Sequence, residues 1–305
     1  MSNKPLVSII INCYNSDLYL KETIDSVISQ TYENWEIIFW DNQSTDSSAE
    51  IVKSYSDNRI KYFYSSKHTT LGEGRNLALK MIKGDFFKFL DADDIIYPDH
   101  LSKLIPLFDN DNIGIVYSNA HIFYQEKNVY KINDKYIRPS GFIFHSWINE
   151  YNVLLPSVIV RTSCLNCLNE WFDNRFSMVE EFDFLLRISS TYNVNYSSDV
   201  LSFWRKYPES LSFKKGDQWA EEFELLISKL SDHYLDEPDL DVLLSLKQRL
   251  AYLRFVNSLI SENSIDRSLL RPFIFKSNKM LGVYLFSFLG KKFTKQVLLV
   301  CRKLV

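Results

Sequence analysis

The 305-residue chain is short of features that mark several protein classes. It has four cysteines: Cys13, Cys164, Cys167 and Cys301. Only Cys164 and Cys167 are spaced as a pair, and a zinc site needs about four ligands. Neither zinc nor disulfide redox chemistry is expected from them. Free thiols in a reducing compartment fit better, with Cys13 a buried thiol in an apolar run. Glycine is scarce, and Asn12-Cys-Tyr-Asn-Ser16 contains none. A nucleotidyltransferase with a glycine-rich phosphate loop after its first strand is therefore disfavoured.

Long apolar runs are absent too. Residues 1–6 carry no hydrophobic leader segment, and Val7 to Ile11 is too short to serve as one. Met280 to Leu289 falls well below the ~20 residues of a spanning helix. The expectation is a protein made and kept in the cytoplasm. No internal repeat or low-complexity tract is present. Net charge is only −3, but it is unevenly spread. From Asp266 to Val305 nine Lys or Arg face one acidic residue, a local +8, which leaves −11 on the remainder. An acidic body with a basic tail argues against nucleic acid as a partner and permits contact with an anionic surface.

What is present is ordinary globular material: 46% hydrophobic and 24% charged residues. Aromatics reach 15%, enough for a core rich in Phe and Tyr or for sites that stack on rings. The first half alternates strand and helix patterns. Leu6 to Cys13 is a continuous apolar run, the signature of a parallel strand buried on both faces. Leu20, Ile24, Val27 and Ile28 then recur at helical spacing over Leu18 to Gln30. Strands are predicted at Trp35 to Trp40, Ile60 to Tyr64 and Phe86 to Leu90, with helices at Thr45 to Tyr55 and Leu71 to Ile82. Gly84 stands where a helix-terminating glycine belongs. Farther on, Ile113 to Tyr117, Val158 to Arg161 and Leu201 to Arg205 read as strands and Phe182 to Ser190 as a helix. After Lys215 the pattern is mostly helical, punctuated by Glu237-Pro238 and Arg271-Pro272.

This order implies a doubly wound parallel sheet, whose ligands bind beyond the carboxyl ends of the strands. Cys13-Tyr14-Asn15, Asp41-Asn42 and Asp91 to Asp94 all follow strand ends, so three polar clusters should meet on one rim. Asp91, Asp93 and Asp94 repel one another unless a cation or hydrogen-bond donors offset their charge. Hard oxygen ligands suit Mg²⁺ or Mn²⁺, which bind one or two carboxylates plus substrate phosphates. The plain alternative is a solvated acidic turn, with Asp94 capping the next helix.

Pro5-Leu-Val-Ser-Ile-Ile-Ile-Asn-Cys-Tyr-Asn15 resembles the opening of family 2 glycosyltransferases. The likeness continues through Tyr19-Leu20, Ser26-Val27, Gln30-Thr31-Tyr32, Glu36-Ile37-Ile38, Asp41-Asn-Gln-Ser-Thr-Asp46, Gly74-Arg75-Asn76-Leu77-Ala78 and Phe89-Leu-Asp-Ala-Asp-Asp94. Glu180-Glu-Phe-Asp-Phe-Leu-Leu-Arg187 and Trp204-Arg205 to Ser212 match more loosely, so the likeness covers about residues 5–212. It implies an α/β protein of the GT-A type, a doubly wound mixed sheet flanked by helices over 1–215, and a helical extension over 216–305. It also implies a nucleoside-diphosphate sugar donor, with UDP-sugars favoured, a divalent metal (Mg²⁺ or Mn²⁺), and inversion at the anomeric carbon.

Carried onto this chain, the resemblance puts Asn12 and Tyr14 beside the base and ribose, Asn42 at the base edge and Arg75 near phosphate or sugar oxygens. Asp91 would bind ribose or a metal-bound water, Asp93 the metal, and Arg205 the diphosphate. Two positions depart from the pattern. The general base is an Asp in relatives; Glu181 holds that position here, with Asp183 as the backup. A histidine that completes the metal shell is replaced by Tyr207, a poor ligand for these ions. Trp171 and Phe172 could stack on an acceptor sugar or belong to the core.

The acceptor implied is a growing bacterial-type surface glycan, lipid-linked or part of a lipopolysaccharide. Leu281, Val283, Tyr284, Phe286, Phe288 and Leu289 lie among Lys276, Lys279, Lys291, Lys292 and Lys295. Such a segment can lie peripherally on the inner face of an anionic membrane, or pack on the rest of the chain. The two departures leave a second class open: a catalytically inactive relative acting as a binding or assembly subunit.

Overall fold

The computed structural model describes residues 4–207, 218–234, 240–260, 264–275 and 278–294. Cys301, Lys276, Lys295, Glu237-Pro238 and the end of the Trp204 to Ser212 match lie outside them, as does the side chain of Lys279. The chain divides into two compact units, Met1–Ser210 and Leu211–Val305.

The first unit is built on β1 (Val7–Cys13), a strand of apolar residues buried on both faces. It pairs in parallel with β2 (Trp35–Asp41) on one side and β4 (Phe86–Phe89) on the other. β3 (Ile60–Tyr64) extends the sheet parallel to β2. Between these strands run α1 (Asp17–Ile28), α2 (Ser48–Lys53) and α3 (Leu71–Leu79). Leu20, Ile24 and Val27 bring the apolar stripe of α1 into the core with Ile9, Ile11, Ile37 and Phe39.

Beyond β4 the sheet ceases to be parallel. β8 (Val158–Arg161) enters antiparallel to β4, and β6 (Ile113–Tyr124) is antiparallel to β8. The full order is β3-β2-β1-β4-β8-β6-β9-β5, with β5 (Ile95–Ile96), β9 (Asn193–Lys206) and a β7 (Val129–Ile132) hairpin on β6. This mixed sheet flanked by helices is the GT-A arrangement. β6 and β9 are much longer than their apolar segments because they form a parallel ladder from Ile113↔Asn193 to Tyr124↔Lys206. Register shifts in that ladder bend the pair.

Other local differences have identifiable causes. α2 is shorter than its pattern because Asp41 Oδ1 and Asp46 Oδ1 accept from the backbone of Ser44 (2.7 Å) and Ser48 (3.0 Å), fixing a turn ahead of it. α3 stops at Leu79, so Gly84 is not its terminator. A Cβ at Gly84 would lie 2.6 Å from Phe86 O and 2.7 Å from Leu6 O and Ser8 N. Glycine is there to let the chain pass against β1.

α4 (His100–Leu104), α5 (Phe144–Asn149) and α6 (Glu180–Ser189) complete this unit. The second unit contains α7 (Gln218–His233), α8 (Leu240–Ile260) and α9 (Asn278–Phe286). Its small core gathers Phe255, Val256, Leu259, Leu270, Met280 and Val283. Among the described residues, no helix is long and apolar enough to cross a membrane.

Candidate active site

The carboxyl ends of β1, β2, β3 and β4 open on one rim, and the loops leaving them bond to one another. Asn42 N donates to Cys13 O (2.8 Å), and Asn15 Oδ1 accepts from Thr45 N (2.7 Å). Asn15 and Gln43 have φ of 50° and 69°, so each loop turns sharply just past its strand. Asn12 is at the end of β1, and its Nδ2 lies 3.3 Å from where a Cβ on Gly74 would stand. The three polar clusters are thus neighbours in space.

Arg75, on α3, is the centre of the arrangement. It is 2% exposed, with Nη1 3.1 Å from Glu180 Oε1 and Nη2 3.4 Å from Asp91 Oδ1. Burial opposes its charge, but Asp91, Glu180 and Glu181 outweigh that and raise its pKa. Phe89 and Phe172 flank it, their ring centroids 5.3 and 5.4 Å from the guanidinium carbon. Phe172 also stacks on Phe184 at 4.4 Å, so it is a core residue and not a platform for an acceptor ring. Trp171 is half-buried and donates Nε1 to Leu165 O (3.3 Å). Asn76 pins this loop: Nδ2 donates to Phe172 O and Oδ1 accepts from Phe172 N, both at 2.8 Å.

Glu181 follows Glu180 in the first turn of α6. Burial drives its carboxyl up to about 8; Arg75 opposes, and Glu180 and Asp91 add to the rise. A carboxylate held near neutrality suits proton transfer. Tyr151 is half-buried with its hydroxyl enclosed, and it lies close enough that Glu181 helps raise the pKa of that hydroxyl, after burial itself. Asp183 is placed differently. It is fully buried, and Oδ2 accepts from Arg187 Nε (3.0 Å) and Nη2 (2.7 Å). Arg187 also donates to the carbonyls of Glu170 and Trp171. The pair fastens α6 to the preceding loop, so Asp183 has a structural partner where the sequence offered a backup base.

The aspartates after β4 separate by orientation. Asp91 is partly exposed and faces Arg75. Asp93 accepts at Oδ2 from the Tyr207 hydroxyl (2.7 Å), and burial, then Asp91, raise its carboxyl to about 6. Asp94 turns inward: Oδ1 accepts from Arg205 N (2.9 Å), and its backbone carbonyl accepts from Thr23 Oγ1 (2.9 Å). It ties β9 and α1 to the loop and does not cap α4, which begins at His100.

Arg205 is held by several protein groups. Nε donates to Asp93 O (2.9 Å), Nη2 meets Glu22 (2.7 Å), and the guanidinium lies 4.0 Å from the centroid of Tyr19. These partners make it a brace for the aspartate loop. Asn42 is likewise occupied: Nδ2 donates to Thr69 O (2.8 Å), and Oδ1 accepts from Thr69 N (3.0 Å) and Thr69 Oγ1 (2.9 Å). Tyr14, 51% exposed, lies against His68 with ring centroids 4.3 Å apart.

The sequence pattern gave no role to Glu180, Lys88 or His68. Lys88 is buried in β4, donates to Pro156 O (2.7 Å) and is pushed by burial down to about 7, with Asp94 and Asp91 opposing. Its one signal was a lone lysine in an apolar strand. Among the described residues, no group of three or more His, Cys, Asp or Glu could hold a metal. Asp91 and Asp93 still fit Mg²⁺ or Mn²⁺ in the two-carboxylate mode that leaves the remaining positions to phosphate and water. Burial first, and Asp91 second, push the Asp93 carboxyl toward its neutral form, and a bound cation would favour the carboxylate.

The family model described as Glycosyl transferase family 2 matches residues 8–167, more than half the chain. The chain belongs to that family. UDP-Glc:alpha-D-GlcNAc-diphosphoundecaprenol beta-1,3-glucosyltransferase WfgD from Escherichia coli is 29% identical over 225 residues, 72% of this chain and 85% of that protein. An uncharacterized glycosyltransferase of Rickettsia typhi is 34% identical over 202 residues, 62% of this chain and 61% of its own length. S. aureus TarS 1–349 in complex with UDP-GlcNAc superposes with TM-score 0.65 at 21% identity, covering 92% of this chain and 78% of that one. Mannosyltransferase PcManGT from Pyrobaculum calidifontis, in complex with GDP-Man and Mn2+, gives 0.64 at 15% identity, covering 97% and 84%. One GT-A frame therefore accommodates both a uridine and a guanosine donor.

Proposed function

We propose that this transferase moves a sugar, with inversion, from a nucleoside-diphosphate sugar to a hydroxyl of a lipid-linked glycan precursor. The observation that carries the reading is Arg75, which joins Asp91 at the strand-end rim to Glu180, the neighbour of Glu181. A donor at the rim and a base at the start of α6 are thereby held in one fixed frame. The nucleotide lies over the ends of β1 and β2, beside Asn12 and Tyr14, as ligands of open α/β sheets do. A UDP-sugar is favoured by the uridine-sugar donors in the names of WfgD and the TarS complex.

Glu181 takes the proton of the acceptor hydroxyl. The freed oxygen forms the new bond at the anomeric carbon, on the face opposite the nucleotide. The bond from that carbon to the diphosphate oxygen breaks, and its electron pair leaves with the diphosphate. Arg75 holds Asp91 and Glu180 in place and keeps positive charge beside Glu181. Asp91 and Asp93 are the residues that would hold Mg²⁺ or Mn²⁺, and such an ion, when bound, offsets the charge of the departing diphosphate. The acceptor class rests on WfgD, whose name gives it a diphosphoundecaprenol-linked GlcNAc.

The second unit supports a peripheral membrane location. Phe275, Leu285, Phe288 and Leu289 are exposed by 57–92%, and Lys291 and Lys292, just after Leu289 in the chain, are exposed as well. Apolar side chains next to lysines suit an anionic bilayer.

The direct test supplies UDP-glucose and a GlcNAc-diphospholipid and follows UDP release and the anomeric configuration of the product. An inverted linkage that depends on Glu181 supports the reading. Retained configuration, or full activity in Glu181→Gln, contradicts it.

A further inference from the structure

We propose that His68, rather than residue 42, reads the edge of the nucleobase, by accepting a hydrogen bond at Nε2 from the N3–H of uracil. The inference rests on the donor site proposed above. Thr69 N and the Thr69 hydroxyl both donate to Asn42 Oδ1, at 3.0 and 2.9 Å, and take its two lone pairs. The orientation of this amide is fixed by its partners. Oδ1 faces a backbone N–H, which can only donate, and Nδ2 faces Thr69 O, which can only accept. Asn42 has one free Nδ2 hydrogen but no acceptor left for an imide N–H.

His68 supplies that acceptor. It leaves the end of β3 as Asn42 leaves β2 and Tyr14 leaves β1, and these three strands are adjacent in the sheet. Its Nδ1 lies 3.0 Å from the backbone carbonyl of Asn42. A carbonyl cannot donate, so Nδ1 carries the proton. In the neutral imidazole Nε2 is then a lone-pair acceptor. The ring is further oriented by Tyr14, at 4.3 Å and 57°. The remaining Nδ2 hydrogen of Asn42 adds a donor suited to a flanking uracil carbonyl. Uracil presents an N–H between two carbonyls, whereas cytosine presents a bare ring nitrogen at the same position. An acceptor therefore favours the first and repels the second.

The test is calorimetric titration of the full chain with UDP, 3-methyl-UDP, which lacks the N3–H, and CDP, each with Mn²⁺. The wild type is expected to bind UDP roughly three- to tenfold more tightly than either analogue, the size of one net hydrogen bond. His68→Phe keeps a ring against Tyr14 and removes the acceptor. It should weaken UDP to the level of 3-methyl-UDP and leave 3-methyl-UDP unchanged. His68 is exposed, so the variant folds, and an unaltered melting temperature verifies this. Equal wild-type affinity for UDP and 3-methyl-UDP overturns the proposal, as does a preference that survives His68→Phe. A wild type that binds none of the three contradicts the UDP-sugar reading above, and this inference with it.

Discussion

Arg75 and Glu180 are 105 residues apart in the chain and 3.1 Å apart in space, both almost wholly buried. Removing one partner of a buried, hydrogen-bonded pair leaves an uncompensated charge. Arg75→Ala should therefore cost about 3–5 kcal/mol of stability. Arg75→Lys keeps the charge but loses the fork that reaches Asp91 and Glu180 together, so it should fall between the two. Urea unfolding of the three proteins checks this. Equal midpoints for wild type and Arg75→Ala would show that the bridge does not hold the site.

Glu181 makes a prediction about pH. Burial raises its carboxyl to about 8, and a base acts only when ionised. In the free enzyme kcat/KM should rise about tenfold per pH unit below that value and level off above it. Glu181→Gln should lose roughly 10²–10⁴ in rate while retaining nucleotide affinity. The stability effect has the opposite sense. The folded pKa lies above the unfolded one near 4.5, so the native state keeps a proton that the unfolded state has released. Stability from this group is full below pH 4.5 and declines as pH rises through 8. Glu181→Gln should remove that decline, leaving an inactive protein more stable than wild type at pH 8. A flat pH–rate profile would remove Glu181 from the mechanism.

Much of this organisation was legible in the sequence, and the losses have physical reasons. β3 and β8 were readable to the residue because apolar, β-branched and aromatic residues end at polar or turn-forming neighbours. The first half of β9 was not: Asn193 to Asp199 is mostly polar, and it is a strand because β6 offers it a ladder. Asp91 and Glu181 could be singled out from their neighbours in the chain, but the Arg75 bridge from Asp91 to Glu180, beside Glu181, joins segments far apart. The protein partners of Asn42 and Arg205 were hidden for the same reason. Their partners, Thr69 and Glu22, are 27 and 183 positions away, and an occupied side chain looks identical to a free one in sequence.

Gly84 tests how closely the turn into β4 passes against β1. Gly84→Ala would place a methyl group 2.6–2.7 Å from three backbone atoms that cannot rotate away. The substitution should destabilise by about 1–3 kcal/mol, the usual range for overpacking. A thermal melt matching wild type would mean that the turn yields freely.

The second unit predicts a membrane interaction. Phe288→Asp with Leu289→Asp should sharply reduce cosedimentation with phosphatidylglycerol vesicles, and raised salt should weaken the wild-type interaction. Phosphatidylcholine vesicles should bind less than anionic ones. Equal cosedimentation of variant and wild type would assign the exposed apolar residues another role.

The central claim is that the rim formed by the ends of β1, β2 and β4 is a metal-dependent nucleotide-sugar site. Binding of UDP, GDP and dTDP to wild type and to Asp93→Ala, each with and without Mn²⁺, tests it most directly. The account predicts that UDP binds tightly only with Mn²⁺ and that Asp93→Ala abolishes this dependence. Failure of every nucleotide to bind the wild type, with metal or without, would contradict it.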